Sequence, residues 1–145
     1  MSLDYGVDIP FVDHLGMTLE HFDGGESTLQ LLPRPEHRNS HGVVHGGVVM
    51  TLLDVALATA ARSVDPGMGV VTIEMKTSFV RPAPADEAHA LVGHGKLLHR
   101  TRSLAFVEGS VLDAQGQLCA HATGTFKYVP SMAAQQGGAG RISTD

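Results

Sequence analysis

The sequence has little of what several classes of protein require. It contains one cysteine, Cys119, which excludes an internal disulfide bond, and its start, MSLDYGVDIPF, lacks the charged and apolar regions of a signal peptide. We therefore expect a protein of the reducing cytoplasm. No apolar run reaches the roughly 20 residues that a membrane-spanning helix needs. Because the net charge is −5 and no block of Lys or Arg occurs, we do not expect binding to nucleic acid or an anionic membrane.

Aromatic residues are scarce as well. Trp is absent and only two Tyr and five Phe occur, so the core must be mainly aliphatic. The apolar share of 43% is ordinary for a globular protein, and 145 residues suffice for one domain with a true core. We predict a single domain over residues 1–130. Residues 131–145 have almost nothing to bury and are predicted to be a disordered tail.

Two kinds of periodicity describe the domain. Residues 17–22 and 27–32 alternate in polarity on either side of the segment DGG, which predicts a β-hairpin. Residues 46–62 are apolar nearly all round and predict one long helix, ended by the segment SVDPGMG. The stretches 70–83, 87–100, 103–117 and 118–130 predict four consecutive strands that pair antiparallel. A curved antiparallel sheet wrapped around the helix is the simplest α+β arrangement that encloses it.

The helical segment and its surroundings carry a distinctive spacing. Asn39, the pair Gly46 and Gly47, and Asp54 form the pattern Asn-x6-Gly-Gly-x6-Asp, and the strand VVTIEMKTSFVRPA follows. Together these residues resemble the hotdog-fold acyl-CoA thioesterases of the phenylacetate-degradation (PaaI) type. The similarity covers about residues 13–129, nearly the whole predicted domain.

The resemblance implies a five- or six-stranded sheet around one helix, in subunits that pair into dimers and often into tetramers. By the same resemblance Asp54 is the catalytic carboxylate, the Gly46 backbone N–H polarises the thioester carbonyl, and Asn39 helps to fix that region. Thr72 stands where some members have a serine whose hydroxyl orients water. Coenzyme A then enters as part of the substrate, with no separate cofactor and no metal.

The chemistry of thioester hydrolysis suits these residues. It needs a hydrogen-bond donor for the carbonyl oxygen and a base or nucleophile for the acyl carbon. The first N–H groups of a helix have no partner within it, and Gly46 and Gly47 let a ligand approach them closely. A carboxylate such as Asp54 is costly on a buried helix unless it is paired or faces a cleft. The glycines could equally form only a tight turn, and Thr72 could equally serve strand packing.

The distance along the helix decides the architecture. Eight residues place Asp54 about 12 Å from Gly46 along the axis, whereas both groups must lie within about 3 Å of one thioester. One chain cannot supply both. We therefore predict a homodimer in which antiparallel helices bring Asp54 of one subunit to the Gly46 end of the other, in two equivalent sites.

Further candidates are less specific. His45 can steady the loop or contact the thioester, and Asn39 can equally form a local turn. The phosphates of coenzyme A need cations, for which the candidates are Arg81, Lys96, Arg100 and Arg102. The acyl pocket has aliphatic candidates on the helix, namely Val48, Val49, Met50 and Leu53.

Three alternatives stay open. His37, His41 and His45 recur every four residues, which on a helix would suit a metal-dependent hydrolase, although HRNSHGVVH is a poor helix former. A protein that binds acyl-CoA without turnover is the second. A hotdog dehydratase is the third, but those enzymes resemble a pattern with a catalytic His near a Pro, and the sequence has no His-Pro pair.

Overall fold

Six strands and one long helix make up most of the chain. The computed structural model describes residues 2–130, so the tail predicted for residues 131–145 lies outside the described residues. The strands are β1 (Met17–Asp23), β2 (Glu26–Leu31), β3 (Met68–Phe79), β4 (Leu91–Arg100), β5 (Leu104–Leu112) and β6 (Leu118–Pro130). They form one antiparallel sheet in the order β1-β2-β4-β5-β6-β3. The predicted α+β architecture, one antiparallel sheet packed against one long helix, is confirmed.

The long helix is preceded by a short one, α1 (Pro10–Leu15), and spans the predicted residues as α2 (Gly46–Arg62). Its buried face includes Leu52, Leu53 and Leu57, all of them 0% exposed, and this face packs on the sheet. A stripe that contains Met50 and Asp54 is left partly accessible. The sheet of one chain therefore covers the helix on one side and does not enclose it. Among residues 2–130 no helix combines the length and the apolar character that crossing a bilayer requires.

Glycines on the sheet let the backbone of α2 come close. A Cβ added at Gly95 on β4 would stand 2.2 Å from the Ala56 carbonyl oxygen, and one at Gly109 on β5 would stand 2.8 Å from the Leu57 side chain. The Ser27 hydroxyl of β2 donates to the same Ala56 carbonyl oxygen at 2.6 Å. Because these contacts join helix backbone to strands, they fix the position of α2 over the middle of the sheet.

The turns agree with the predicted hairpins. Gly24 and Gly25 have φ values of 62° and 85°, in the left-handed region that glycine adopts without strain, and they connect β1 to β2. In the turn between β5 and β6, Asp113 Oδ1 accepts hydrogen bonds from the backbone N–H groups of Gln115 and Gln117, both at 2.9 Å. These local interactions hold the ends of neighbouring strands together.

Three features differ from the sequence-based expectations. Helix α1 and a single 3-10 turn, Pro35–His37, were not predicted, because elements this short show no periodicity. Strand β3 ends at Phe79, before the prolines at positions 82 and 84, whose missing N–H groups cannot extend a ladder. The expected pairing of four consecutive strands is wrong for β3, which pairs with β6 and not with β4. Strand β3 therefore forms one edge of the sheet, with one side unpaired among residues 2–130.

Candidate active site

Asp54 and Thr72 lie together, one on α2 and the other on edge strand β3. The Thr72 hydroxyl donates a hydrogen bond to Asp54 Oδ1 at 2.7 Å. Burial raises the pKa of the Asp54 carboxyl above its usual range, while the hydrogen bond from Thr72 acts in the opposite direction because it stabilises the anion. Asp54 Oδ2 has no hydrogen-bond partner among residues 2–130. The pair thus presents one oriented carboxylate oxygen and one free one.

The Asp54 carboxylate faces a cavity of about 410 Å³, a size suited to a small-molecule group. Most of its wall is apolar, and Arg62 and Asp8 also line it. The apolar lining residues come from the N-terminal segment, α2, β3 and β6: Val7, Ile9, Val55, Ala58, Val70, Val71 and Val129. The contribution of the N-terminal segment was not predicted, since residues 2–9 contain no recognisable motif.

The other end of α2 offers an unpaired backbone donor. His45 precedes the helix, and its Nδ1 accepts a hydrogen bond from the Gly47 N–H at 2.8 Å. Because Nδ1 accepts, the neutral ring carries its proton on Nε2. The Gly46 N–H meets no acceptor within residues 2–130. It is therefore the N–H available at the positive end of the helix dipole.

Asn39 lies beside this helix end and has two separate polar groups. Its Oδ1 accepts hydrogen bonds from the backbone N–H groups of His41 and Val43, at 2.9 and 3.2 Å, and so closes the loop before α2. Its Nδ2 has no partner among the described residues. Asn39 shares with Gly46 a cavity of about 450 Å³ that Phe79 and Arg81 also line. The side chain thus forms the local turn and keeps a donor for a ligand.

A single chain holds these two groups apart. Asp54 lines one cavity and Gly46 another, and the eight-residue step from Gly46 to Asp54 corresponds to about 12 Å of helix. Thr72 and Asp54 form one half of the predicted site, and Gly46, Asn39 and His45 form the other. Neither half alone contains both a base and an unpaired backbone donor.

The remaining candidates are scattered. Of the cations proposed for coenzyme A, Arg81 lines the cavity at Gly46 and Asn39, and none lines the cavity at Asp54. Arg100 lies 4.1 Å from the centre of the Tyr128 ring and 3.6 Å from the Asp65 carboxylate. Arg102 is exposed between β4 and β5. Lys96 points away from the helix, because strand residues alternate and its neighbour Gly95 faces α2.

The four helix residues proposed for the acyl pocket also lie in different surroundings. Leu53 is 0% exposed and belongs to the core, and Val49, 2% exposed, lines the cavity at Gly46. Val48 is half-buried and Met50 is exposed on the uncovered stripe of α2. None of the four lines the cavity at Asp54.

The three histidines spaced by four residues do not share a helix. His37 is buried in the 3-10 turn, where its Nδ1 accepts from the Arg34 backbone N–H at 3.1 Å and its Nε2 lies 3.3 Å from Arg34 Nη2. Burial, followed by the Arg34 charge, lowers the pKa of His37. His41 is exposed in the loop. Within residues 2–130 no three His, Cys, Asp or Glu side chains form a group that could hold a metal ion.

Comparison with known proteins connects this geometry to a family. The sequence profile described as the thioesterase superfamily matches residues 41–120, a span that includes Gly46, Asp54 and Thr72. Acyl-coenzyme A thioesterase 13 of Homo sapiens is 28% identical over 105 residues, which cover 72% of this chain and 74% of that protein.

Solved structures of PaaI proteins have a similar fold. A mutant of the phenylacetic acid degradation protein PaaI from Thermus thermophilus is 28% identical, with a TM-score of 0.74 and coverage of 82% of this chain and 98% of that chain. The E. coli PaaI protein from the phenylacetic acid degradation operon is 21% identical, with a TM-score of 0.78 over 86% of this chain and 87% of that chain. At this identity the E. coli structure shows the shared fold alone.

Proposed function

The chain belongs to the thioesterase superfamily, and from this premise we propose that it hydrolyses an aryl- or medium-chain acyl-CoA thioester to the free acid and CoA. The observation that carries the proposal is the 2.7 Å hydrogen bond from Thr72 to Asp54, both of which line a mainly apolar cavity. A carboxylate oriented by a hydroxyl next to an apolar pocket suits a base that acts on a bound acyl group.

Asp54 acts as a general base in this mechanism. Its free Oδ2 accepts a proton from a water molecule, and the oxygen of that water attacks the thioester carbonyl carbon. The resulting tetrahedral intermediate collapses as the C–S bond breaks, and CoA leaves as the thiolate, which takes up the proton held by Asp54 and so restores the base. Thr72 holds Oδ1, so that Oδ2 keeps one orientation throughout. Burial favours this role, because a carboxyl group with a raised pKa is a stronger base once it is ionised.

The Gly46 N–H of the partner subunit supplies the donor for the developing oxyanion. Support comes from the separation of Asp54 and Gly46 along α2, about 12 Å for eight helical residues, which one chain cannot bridge. Further support comes from β3, whose unpaired edge carries the exposed side chains of Val71 and Ile73. An apolar edge strand favours pairing with a second strand. Two-fold pairing of β3 would set two α2 helices antiparallel and form two shared sites.

The test is thiol release from a panel of aryl- and alkyl-CoA esters, measured with a thiol-reactive dye. We expect turnover of at least one ester class, and a loss of at least about 100-fold in kcat for Asp54→Asn, the usual scale for removal of a general base. Asp23→Asn, at the exposed end of β1, serves as the matched control and should turn over normally. Tight binding of acyl-CoA without thiol release would instead indicate a non-catalytic binding protein, and wild-type rates in Asp54→Asn would exclude Asp54 from the mechanism.

A further inference from the structure

Arg62, the last residue of α2, is a buried cation without a counter-ion. The residue is only 7% exposed. Its Nη2 donates to the Tyr5 carbonyl oxygen at 3.0 Å, and its guanidinium lies 5.6 Å from the centre of the Phe22 ring. No carboxylate of residues 2–130 forms an ion pair with it, and its buried Nε–H has no acceptor. Of the five N–H donors of the guanidinium, the described protein atoms engage one.

Such a group is expensive in a folded protein. Burial lowers the pKa of Arg62, which reflects the cost of removing its charge from water, yet a guanidinium stays protonated in proteins. Buried charges are normally paired, since the unpaired charge carries the full desolvation cost. The single bond to Tyr5 anchors the N-terminal segment, but this role needs one donor and no charge. The other donors call for a different partner.

The position of Arg62 identifies that partner. Arg62 lines the same cavity as Asp54, with the apolar side chains of Ala58, Val70 and Val129 also in its wall. The two residues are about 12 Å apart along the helix axis, and long side chains on a helix lean back toward its N-terminus by about one turn, or roughly 5 Å. A thioester attacked at Asp54 would therefore have roughly 7 Å of apolar pocket before the guanidinium.

We propose that Arg62 binds a carboxylate at the far end of the acyl group, so that the preferred substrates are CoA monothioesters of dicarboxylic acids. The inference rests on the proposed thioesterase function and names its substrate class. A carboxylate accepts two parallel N–H bonds from a guanidinium and neutralises its charge, which a hydroxyl or a methyl group cannot do. Asp8 lines the same cavity without pairing with Arg62, so it does not already fill this role.

The test compares esters that differ only at the far end of the acyl chain. For the wild-type protein we expect kcat/KM to be at least about tenfold higher for adipoyl-CoA than for hexanoyl-CoA, the scale of a charge-assisted hydrogen bond. In Arg62→Met, which keeps an unbranched apolar stem and removes the charged guanidinium, the ratio of the two kcat/KM values should fall to about one or below. Arg62→Lys keeps the charge but lacks the two parallel N–H donors of the guanidinium, so it should give an intermediate ratio.

The ratio of kcat/KM for the two esters distinguishes binding of a substrate carboxylate by Arg62 from anchoring of the N-terminal segment by Arg62. If Arg62 only holds the N-terminal segment, Arg62→Met lowers both rates alike and leaves the ratio unchanged, and that result overturns the inference. Equal rates of the wild type on both esters overturn it as well, while the proposed thioesterase function stands.

A binding measurement keeps the inference testable without turnover. Calorimetry with the non-hydrolysable thioether analogues of the same two esters should show at least about tenfold tighter binding of the carboxyl-ended analogue by the wild type. Arg62→Met should remove that difference. If the wild type hydrolyses no ester of the panel, the proposed function fails, and the analogues still decide the role of Arg62: equal Kd values would reject it.

Discussion

Asp54 is one acid on an otherwise apolar helix, and its surroundings act on it in opposite directions. Burial raises the pKa of the carboxyl, and the Thr72 hydroxyl limits that rise by donating to the anion. Without burial the carboxylate would be a weaker base, and without Thr72 a smaller fraction of it would be ionised at a given pH. Thr72 is therefore more than a β-branched strand residue in this mechanism.

Replacing Thr72 by Val should shift the acid side of the pH–rate profile. Val keeps the shape of Thr but cannot donate, so the pKa of Asp54 rises further above its usual range. Because the base must be ionised, the acid limb of kcat/KM moves to higher pH and the rate falls at every pH on that limb. Thr72→Ser keeps the hydroxyl and should restore the wild-type limb. An acid limb that stays in place in Thr72→Val, measured over the full profile, would contradict this coupling.

Some site residues can be identified from the sequence and others cannot. Asp54 is conspicuous because an acid stands alone among apolar residues, and its spacing from Gly46 and Asn39 points to a site. Arg62 gives no such signal. A basic residue in the last turn of a helix is ordinary, since it interacts favourably with the helix dipole at the surface. The N-terminal segment and Phe22 of β1 pack against Arg62, and no local pattern encodes those contacts.

At the scale of elements, the contact between α2 and the sheet depends on the absence of side chains. Gly95 of β4 and Gly109 of β5 both face the helix, and both sit too close to their neighbours to accommodate a Cβ. The helix can therefore lie directly on the strands. This close contact also places Asp54 and Gly46, which are on the same helix, at defined positions relative to the edge of the sheet.

Gly95→Ala should be strongly destabilising. The new Cβ would lie 2.2 Å from the backbone oxygen of Ala56, and neither the helix backbone nor the strand can yield without losing other contacts. We expect a loss of at least about 2 kcal/mol in the free energy of unfolding, measured by urea denaturation. Gly67→Ala is the control, because a Cβ there meets nothing within 4 Å, and its effect should stay within about 0.5 kcal/mol. Similar values for the two variants would show that the helix is not held this closely.

Sequence patterns predict the bounds of an element better than its neighbours in the sheet. The bounds of α2 were predictable, since Gly46 and Gly47 open the apolar segment and the segment SVDPGMG closes it. The neighbours of β3 were not. An alternating pattern identifies which residues face the core but not which strand lies alongside, because that choice depends on the path of the whole chain. The edge position of β3 thus emerged only from the structure.

For the whole molecule, the uncovered side of α2 and the free edge of β3 belong to the same region. Thr72 lies on β3 between the exposed Val71 and Ile73, and its hydroxyl reaches Asp54 on the helix. A partner placed against this edge would therefore cover the accessible stripe of α2 and close the cavity at Asp54. The predicted dimer interface and the predicted site are in this sense one surface.

Mixed dimers can show whether the site is shared between subunits. Asp54→Ala removes the base, and Gly46→Val fills the space at the helix end, where a Cβ would contact the Phe79 ring at 3.5 Å without a severe clash. Each variant alone should be folded and inactive. In a heterodimer of the two, isolated with a different affinity tag on each chain, one site combines both lesions. The other site has an intact Asp54 from one chain and an intact Gly46 from its partner.

The expected activity follows from this symmetry. The heterodimer should recover about half the wild-type kcat per dimer, because one of two equivalent sites is native. If each chain instead used its own Asp54 and Gly46, every site would carry one lesion and no activity would return. The doubly tagged wild-type dimer controls for the tags, and size-exclusion chromatography confirms that every sample is a dimer. An inactive heterodimer of correct size would therefore exclude a site that joins Asp54 of one subunit to Gly46 of the other.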